Sequence, residues 1–160
     1  MTSVNVRHLN QTYIREVNVH YRLTNQQVST ITDPREVARF VRSILPDNSR
    51  EHFIAMYLDG AHQIISYAVI STGLANVTLI HPREVFQRAV VVGCCALIVA
   101  HNHPSGSLTP SGADKEVTDK LTKAGEIIGI KVLDSLIVSR NGVYSITNKN
   151  MVEMSDPLMD

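Results

Sequence analysis

The run His101-Asn102-His103-Pro104-Ser105-Gly106, followed by Ser111 and Asp114, carries the residue types a metal ion needs. Residues two apart on an extended chain share a face, so the imidazoles of His101 and His103 can converge on a single ion. A carboxylate returns eleven positions later, at Asp114. Catalytic zinc takes three protein ligands from His, Cys, Asp and Glu and leaves a fourth place for water. An ion held in that way lowers the pKa of its water to about 7 and polarises a carbonyl. Pro104, Ser105 and Gly106 let the chain turn after the histidines. Ser111-Gly112-Ala113-Asp114 has the form of a capping box, so a helix start presents both a hydroxyl and a carboxylate. Ser111 is a candidate donor to a developing oxyanion. The chemistry also needs a general base. It must be a carboxylate from elsewhere in the chain, because no Glu lies near the histidines in sequence.

The elements that must position these groups are legible around them. Ala96 to Ala100 reads as a buried strand that ends at the histidines, and Ser111 caps a helix reaching about Ile128. Val117, Leu121, Ala124 and Ile128 form the buried face of that helix, and Gly129 stops it. Lys131 to Ser139 is a further strand, turned by Asn141-Gly142 into Val143 to Thr147. Upstream, Arg15 to Leu23 alternates as a half-buried strand does. Asp33-Pro34-Arg35-Glu36 starts a helix with Val37, Ala38, Val41, Ile44 and Leu45 as its apolar stripe. His52 to Leu58 and His62 to Ile70 read as a hairpin around Asp59-Gly60, and a short strand is expected at Asn76 to Ile80. His81-Pro82-Arg83-Glu84 opens another helix with Val85, Phe86, Ala89 and Val90 inward. The repeated Pro-Arg-Glu-Val at 34–37 and 82–85 is good helix-start chemistry and not a duplication. Residues 151–160 read as a mobile polar tail.

Composition narrows the class. The 160 residues suffice for one domain with its own core, and a hydrophobic share of 44% excludes disorder. Formal net charge is zero, so charge gives no support for nucleic-acid binding. Cys94 and Cys95 sit in an apolar run and read as buried hydrophobes rather than a disulfide framework. No secretory signal is expected from the polar N-terminus. The longest apolar run, Ala89 to Ala100, is too short to cross a bilayer. A cytoplasmic setting and no membrane partner are expected.

His101-x-His103-Pro104 with Ser111-x-x-Asp114 resembles the JAMM (MPN-type) metalloprotease signature. The longer string from His101 to Gly106, with Pro110-Ser111 and Asp114, resembles its bacterial RadC-like branch. Ser71-Thr72-Gly73, His81 to Phe86, Leu133-Asp134 and Tyr144-Ser145 do so too, and together the resemblance covers roughly residues 30–150. It implies an α/β fold, a mixed central sheet flanked by helices in a JAMM/cytidine-deaminase-like three-layer architecture. Residues 31–150 would form that domain, after an N-terminal extension (1–30) with one strand and before the 151–160 tail. It further implies that His101, His103 and Asp114 bind Zn2+, that Ser111 supports the tetrahedral intermediate, and that an upstream glutamate opening a strand handles the proton. Here that glutamate is Glu51. Glu84 is its rival, although its place in the first turn of a helix is explained by the dipole alone. The implied function is peptidase or isopeptidase-type amide hydrolysis on an unidentified peptide or protein substrate.

Two departures stand out: Ser135 follows Asp134 where many RadC-like chains carry histidine, and Ser107-Leu108 replaces a more usual polar pair. The helix-hairpin-helix part of full-length RadC proteins is not expected in these residues, which leaves no support for DNA binding. Three other readings stay on the table. One is a non-catalytic or DNA-repair-associated accessory module with a structural zinc. HNH nuclease chemistry is disfavoured, because it disperses its residues over a ββα unit. Nucleobase deamination is disfavoured too, because it uses a Cys-x-x-Cys ligand pair. His8, His20, His52, His62 and His81 read as surface or capping residues. Thr118, one turn beyond Asp114, reads either as a contact behind the ligand or as solvent-facing.

Overall fold

The computed structural model describes residues 21–27, 29–73 and 80–154. In chain order the elements are β1 (Ser29–Thr30), α1 (Pro34–Ile44), β2 (Glu51–Leu58), β3 (Gln63–Gly73), α2 (Pro82–Val92) and β4 (Ala96–Asn102). They continue with α3 (Gly112–Ile128), β5 (Lys131–Val138), β6 (Gly142–Ser145) and β7 (Asn150–Glu153). One mixed seven-stranded sheet runs in the order β1-β3-β2-β4-β5-β6-β7. Among the described residues only β4 and β5 pair in parallel, and α3 makes the crossover between them.

The expected three layers are present. Alternation along β2 and β4 divides the core between the two sheet faces. Phe53, Ala55, Tyr57, Leu97 and Val99 pack with Val85, Phe86, Val117 and Leu121 of α2 and α3. Ile54, Met56, Leu58, Ile98 and Ala100 pack with Val37, Ala38 and Val41 of α1. Both central strands are therefore buried on both faces, which explains their near-continuous apolar sequences. Among the described residues no helix is long and apolar enough to cross a membrane.

The hairpin expected around Asp59-Gly60 is present with a longer connection. His62 adopts a left-handed conformation (φ 59°), and the Asp59 carboxylate accepts the Ala61 and Gln63 amides. This Asx-type closure does the work that a two-residue turn would otherwise do.

Several expectations need correction. Residues 151–153, read as the start of a tail, form part of β7, because Lys149 at φ 56° turns the chain back onto β6. Val90 is exposed, and so is Ile128. The inward position on α3 is instead Gly125, where a Cβ would lie 2.4 Å from the Ile130 carbonyl oxygen, so the close approach of β5 requires glycine. Cys95 is exposed while Cys94 is buried. His52 is fully buried, not a surface residue. The strand expected at Arg15 to Leu23 falls mostly outside the described residues, and Tyr21 to Leu23 are not in a strand. Residues 76–79 of the short strand expected before α2, and His8 and His20, also lie outside them.

Candidate metal centre

The centre forms where β4 ends, beside the first turn of α3. Ligand sites in open α/β sheets lie at the carboxyl ends of strands, where the chain's direction changes. Here β4 runs parallel to β5 and antiparallel to β2. His101 continues the Leu97–Val99 side of β4, which faces α3. Just beyond the strand, His103 follows, and Asp114 comes down from the helix.

Four groups converge. The Nε2 atoms of His101 and His103 are 3.0 Å apart. Asp114 Oδ1 is 3.2 Å from His101 Nε2, and its Oδ2 is 3.7 Å from His103 Nε2. Glu51 Oε1 stands 3.9 and 3.7 Å from the two nitrogens. One ligand atom from each residue lies within 4.8 Å of every other. Sequence reasoning named all four, and the structure brings them together.

The supporting contacts point the donor atoms inward. His103 Nδ1 is 2.8 Å from the Ser107 carbonyl, which can only accept, so the ring proton sits on Nδ1 and the Nε2 lone pair faces the centre. Its neighbour His101 is 1% exposed, stacks on Phe53, and has a buried Nδ1 with no hydrogen-bond partner. Asp114 is 2% exposed. Its Oδ2 accepts the Ser111 amide at 2.7 Å, and its own amide donates to Ser111 Oγ at 3.1 Å. Burial pushes the Asp114 carboxyl up. The hydrogen bond and charge of His101 and the bonds from Ser111 outweigh that and hold it down at about 2. An ionised carboxylate beside two converging imidazole nitrogens, which a cation would take up in place of the His101 proton, is the donor set expected around a divalent ion.

Tetrahedral zinc with bonds near 2.0–2.1 Å puts its ligand atoms roughly 3.3 Å apart. The contacts among His101, His103 and Asp114, at 3.0 to 3.7 Å, bracket that value, and Glu51 lies at its upper edge, 3.7 and 3.9 Å from the two nitrogens. A cleft of about 500 Å³ opens over it, lined by Glu51, His103, Ser111 and Asp114 together with Gly73 and Ser105.

Residues 31–151 match the RadC-like JAB domain family. The chain belongs to that family. It is 46% identical over 116 residues to a UPF0758 protein of Finegoldia magna, covering 72% of this chain and 52% of that one. Against a UPF0758 protein of Pelodictyon phaeoclathratiforme it is 37% identical over 139 residues, covering 87% of this chain and 63% of the relative. The chain thus spans between about half and two thirds of the length of these curated relatives.

The remaining candidates separate cleanly. Glu84 is exposed, and its carboxylate sits 3.4 Å from the His81 amide, completing a helix cap away from the centre. His81 is the cap itself, with Nδ1 accepting the Arg83 amide. Thr118 is buried, and its hydroxyl is 2.9 Å from both the Asp114 carbonyl oxygen and the Ser135 hydroxyl. The Ser135 departure therefore sits behind the centre, joining α3 to β5. Asp134 is held by the Ser145 hydroxyl and the Ser135 amide and takes no part in the centre. Sequence reasoning missed the part played by Asn102, which is 1% exposed and bonded to the backbone of Arg50 and His52, on either side of Glu51. The available signal was its alternation with the histidines, which sends its side chain to the opposite face.

Proposed function

We propose that this domain is a zinc-dependent hydrolase of amide bonds in peptide or isopeptide substrates. The observation that carries the reading is the arrangement of Glu51. Its carboxylate faces the His101–His103–Asp114 trio from the wall of the cleft, 3.7 and 3.9 Å from the two imidazole nitrogens, within reach of a water held there. His101, His103 and Asp114 would hold Zn2+. Zinc bound there would supply a Lewis acid that makes water nucleophilic near neutral pH and polarises the scissile carbonyl.

The chain's own residues supply the rest. Glu51 takes a proton from the attacking water as the new C–O bond forms, then delivers it to the amine as the C–N bond breaks. Ser111, exposed at the cleft, donates its hydroxyl hydrogen to the developing oxyanion. His103 is kept in one tautomer by the Ser107 carbonyl, and Asp114 is kept ionised by Ser111 and His101.

Elemental analysis of purified protein, followed by zinc loading and profiling against peptide and isopeptide libraries, tests the proposal. Glu51→Gln should retain zinc and lose turnover by about 10²–10⁴-fold, the usual worth of a general base. Full turnover in that variant removes Glu51 from the role. The second reading, an accessory module with a structural zinc, draws support from the same carboxylate, which could close the set as a fourth ligand. Chelation separates the two: a structural ion takes most of the fold stability with it, whereas a catalytic one takes activity first.

A further inference from the structure

We infer that Asn102 is a positioning residue that sets Glu51 against the imidazoles by gripping the backbone on both sides of it. The inference rests on the catalytic reading of Glu51 given above.

The β2–β4 ladder ends at the pair Phe53–His101. Beyond that pair the chain after β4 peels away toward His103 and the loop, so no backbone of β4 holds Glu51. On its other side Glu51 pairs with Gly73, the last residue of β3. The carboxylate that must face His101 and His103 therefore sits at a strand end with a ladder on one side only.

Asn102 replaces the missing rungs with its side chain. Oδ1 accepts the His52 amide at 2.7 Å, and Nδ2 donates to the Arg50 carbonyl at 2.9 Å. These are the backbone groups immediately after and immediately before Glu51. The second hydrogen of Nδ2 reaches Asn48 Oδ1 at 3.1 Å, so a buried amide is satisfied as burial requires. Because Asn102 lies between the two histidines, one short segment fixes both the donor nitrogens and the strand that carries the facing carboxylate. The same alternation that sends His101 and His103 toward the centre sends Asn102 away from it, so it acts on Glu51 through the backbone without touching it. Only an amide of this length supplies an acceptor and donors to such a pair of groups. Aspartate keeps the acceptor and sets an oxygen against the Arg50 carbonyl.

Asn102→Ala and Asn102→Asp test this, the second preserving volume where truncation costs the fold. Amide exchange in metal-free protein should speed up at His52 by about tenfold or more in Asn102→Ala, beyond any change in mid-strand amides of β2. In cobalt-substituted protein, the visible spectrum of either variant should shift toward that of Glu51→Gln while cobalt affinity stays near that of the parent. Turnover should fall about 100-fold, the scale of a small misplacement, with no further loss when combined with Glu51→Gln. An unchanged spectrum, or unchanged His52 exchange in the alanine variant, overturns the inference. If zinc-loaded parent protein turns over nothing, the hydrolase reading fails on its own. The exchange and cobalt measurements then still decide whether Asn102 positions Glu51.

Discussion

The three helices among the described residues begin with the same local device, yet only one of these starts belongs to the metal centre. In α1, Asp33 caps the Arg35 amide and Glu36 reaches back to the amides of Thr32 and Asp33. In α2, His81 and Glu84 do the same. In α3, Ser111 and Asp114 repeat the arrangement with a side chain one methylene shorter. Glu36 is half-buried and Glu84 exposed, whereas Asp114 is 2% exposed and turns its second oxygen toward His101. The cap thus fixes a carboxylate in each helix. What makes it a ligand is the strand end that faces it, and among the three starts only α3 has a pair of imidazoles there.

The sharpest way to break this comparison is to neutralise each acidic cap residue while keeping its hydrogen bond. Asparagine at 114 and glutamine at 36 or 84 can still accept the backbone amide. Asp114→Asn should weaken zinc binding by at least about 100-fold, beyond the loss typical of an outer contact. Glu36→Gln and Glu84→Gln should leave it unchanged. Competition with a coloured chelator measures all three. A 114 variant that binds zinc like the parent would reduce that helix start to the ordinary kind.

A second contrast concerns the cap residues themselves. Ser111→Ala and Asp33→Ala each remove an N-cap, and each should cost about 1 kcal/mol of stability, a fall in Tm of roughly 2–4 °C at this chain length. Only Ser111→Ala should also lower turnover, by about 10²–10³-fold as for a lost oxyanion donor. Equal turnover in the two variants would leave Ser111 as a cap and nothing more.

The centre was legible in the sequence because its parts are short-range. His101 and His103 are two positions apart, and Ser111 and Asp114 share a helix turn, so alternation and capping chemistry suffice to orient them. Glu51 lies fifty residues from His101, and only its resemblance to the family's strand-opening glutamate singled it out. Asn102 was hidden for a physical reason: its partners are backbone groups on another strand, and backbone groups have no signature in residue type. The same limit explains Gly125, whose necessity arises from the approach of Ile130. It also explains β7, which a turn at Lys149 creates from residues of weak strand character. His52 reads as polar surface in isolation, but here it is enclosed, with Nδ1 bonded to Thr72 Oγ1 at 2.9 Å.

Acid provides the subtlest separation of the helix starts. In metal-free protein the Asp114 carboxyl is held at about 2, against an ordinary value of 3.8. Glu36 is also held below its ordinary value, first by the Thr32 amide, against a modest burial penalty. A folded-state value below the unfolded one means that the ionised group stabilises the fold above the ordinary carboxylate range. That contribution declines as pH falls toward the folded value and is gone below it. Carbon-13 titration of the side-chain carboxyls should therefore give Asp114 a midpoint near 2. Ser111→Ala, which removes only one of its two capping bonds, should move that midpoint upward without carrying it to 3.8, because His101 still faces the carboxylate. Asp33→Ala should leave it in place. An Asp114 midpoint near 4 in the parent protein would mean that burial outweighs the imidazole and the cap, and that this acidic group is no better prepared for a cation than those on α1 and α2.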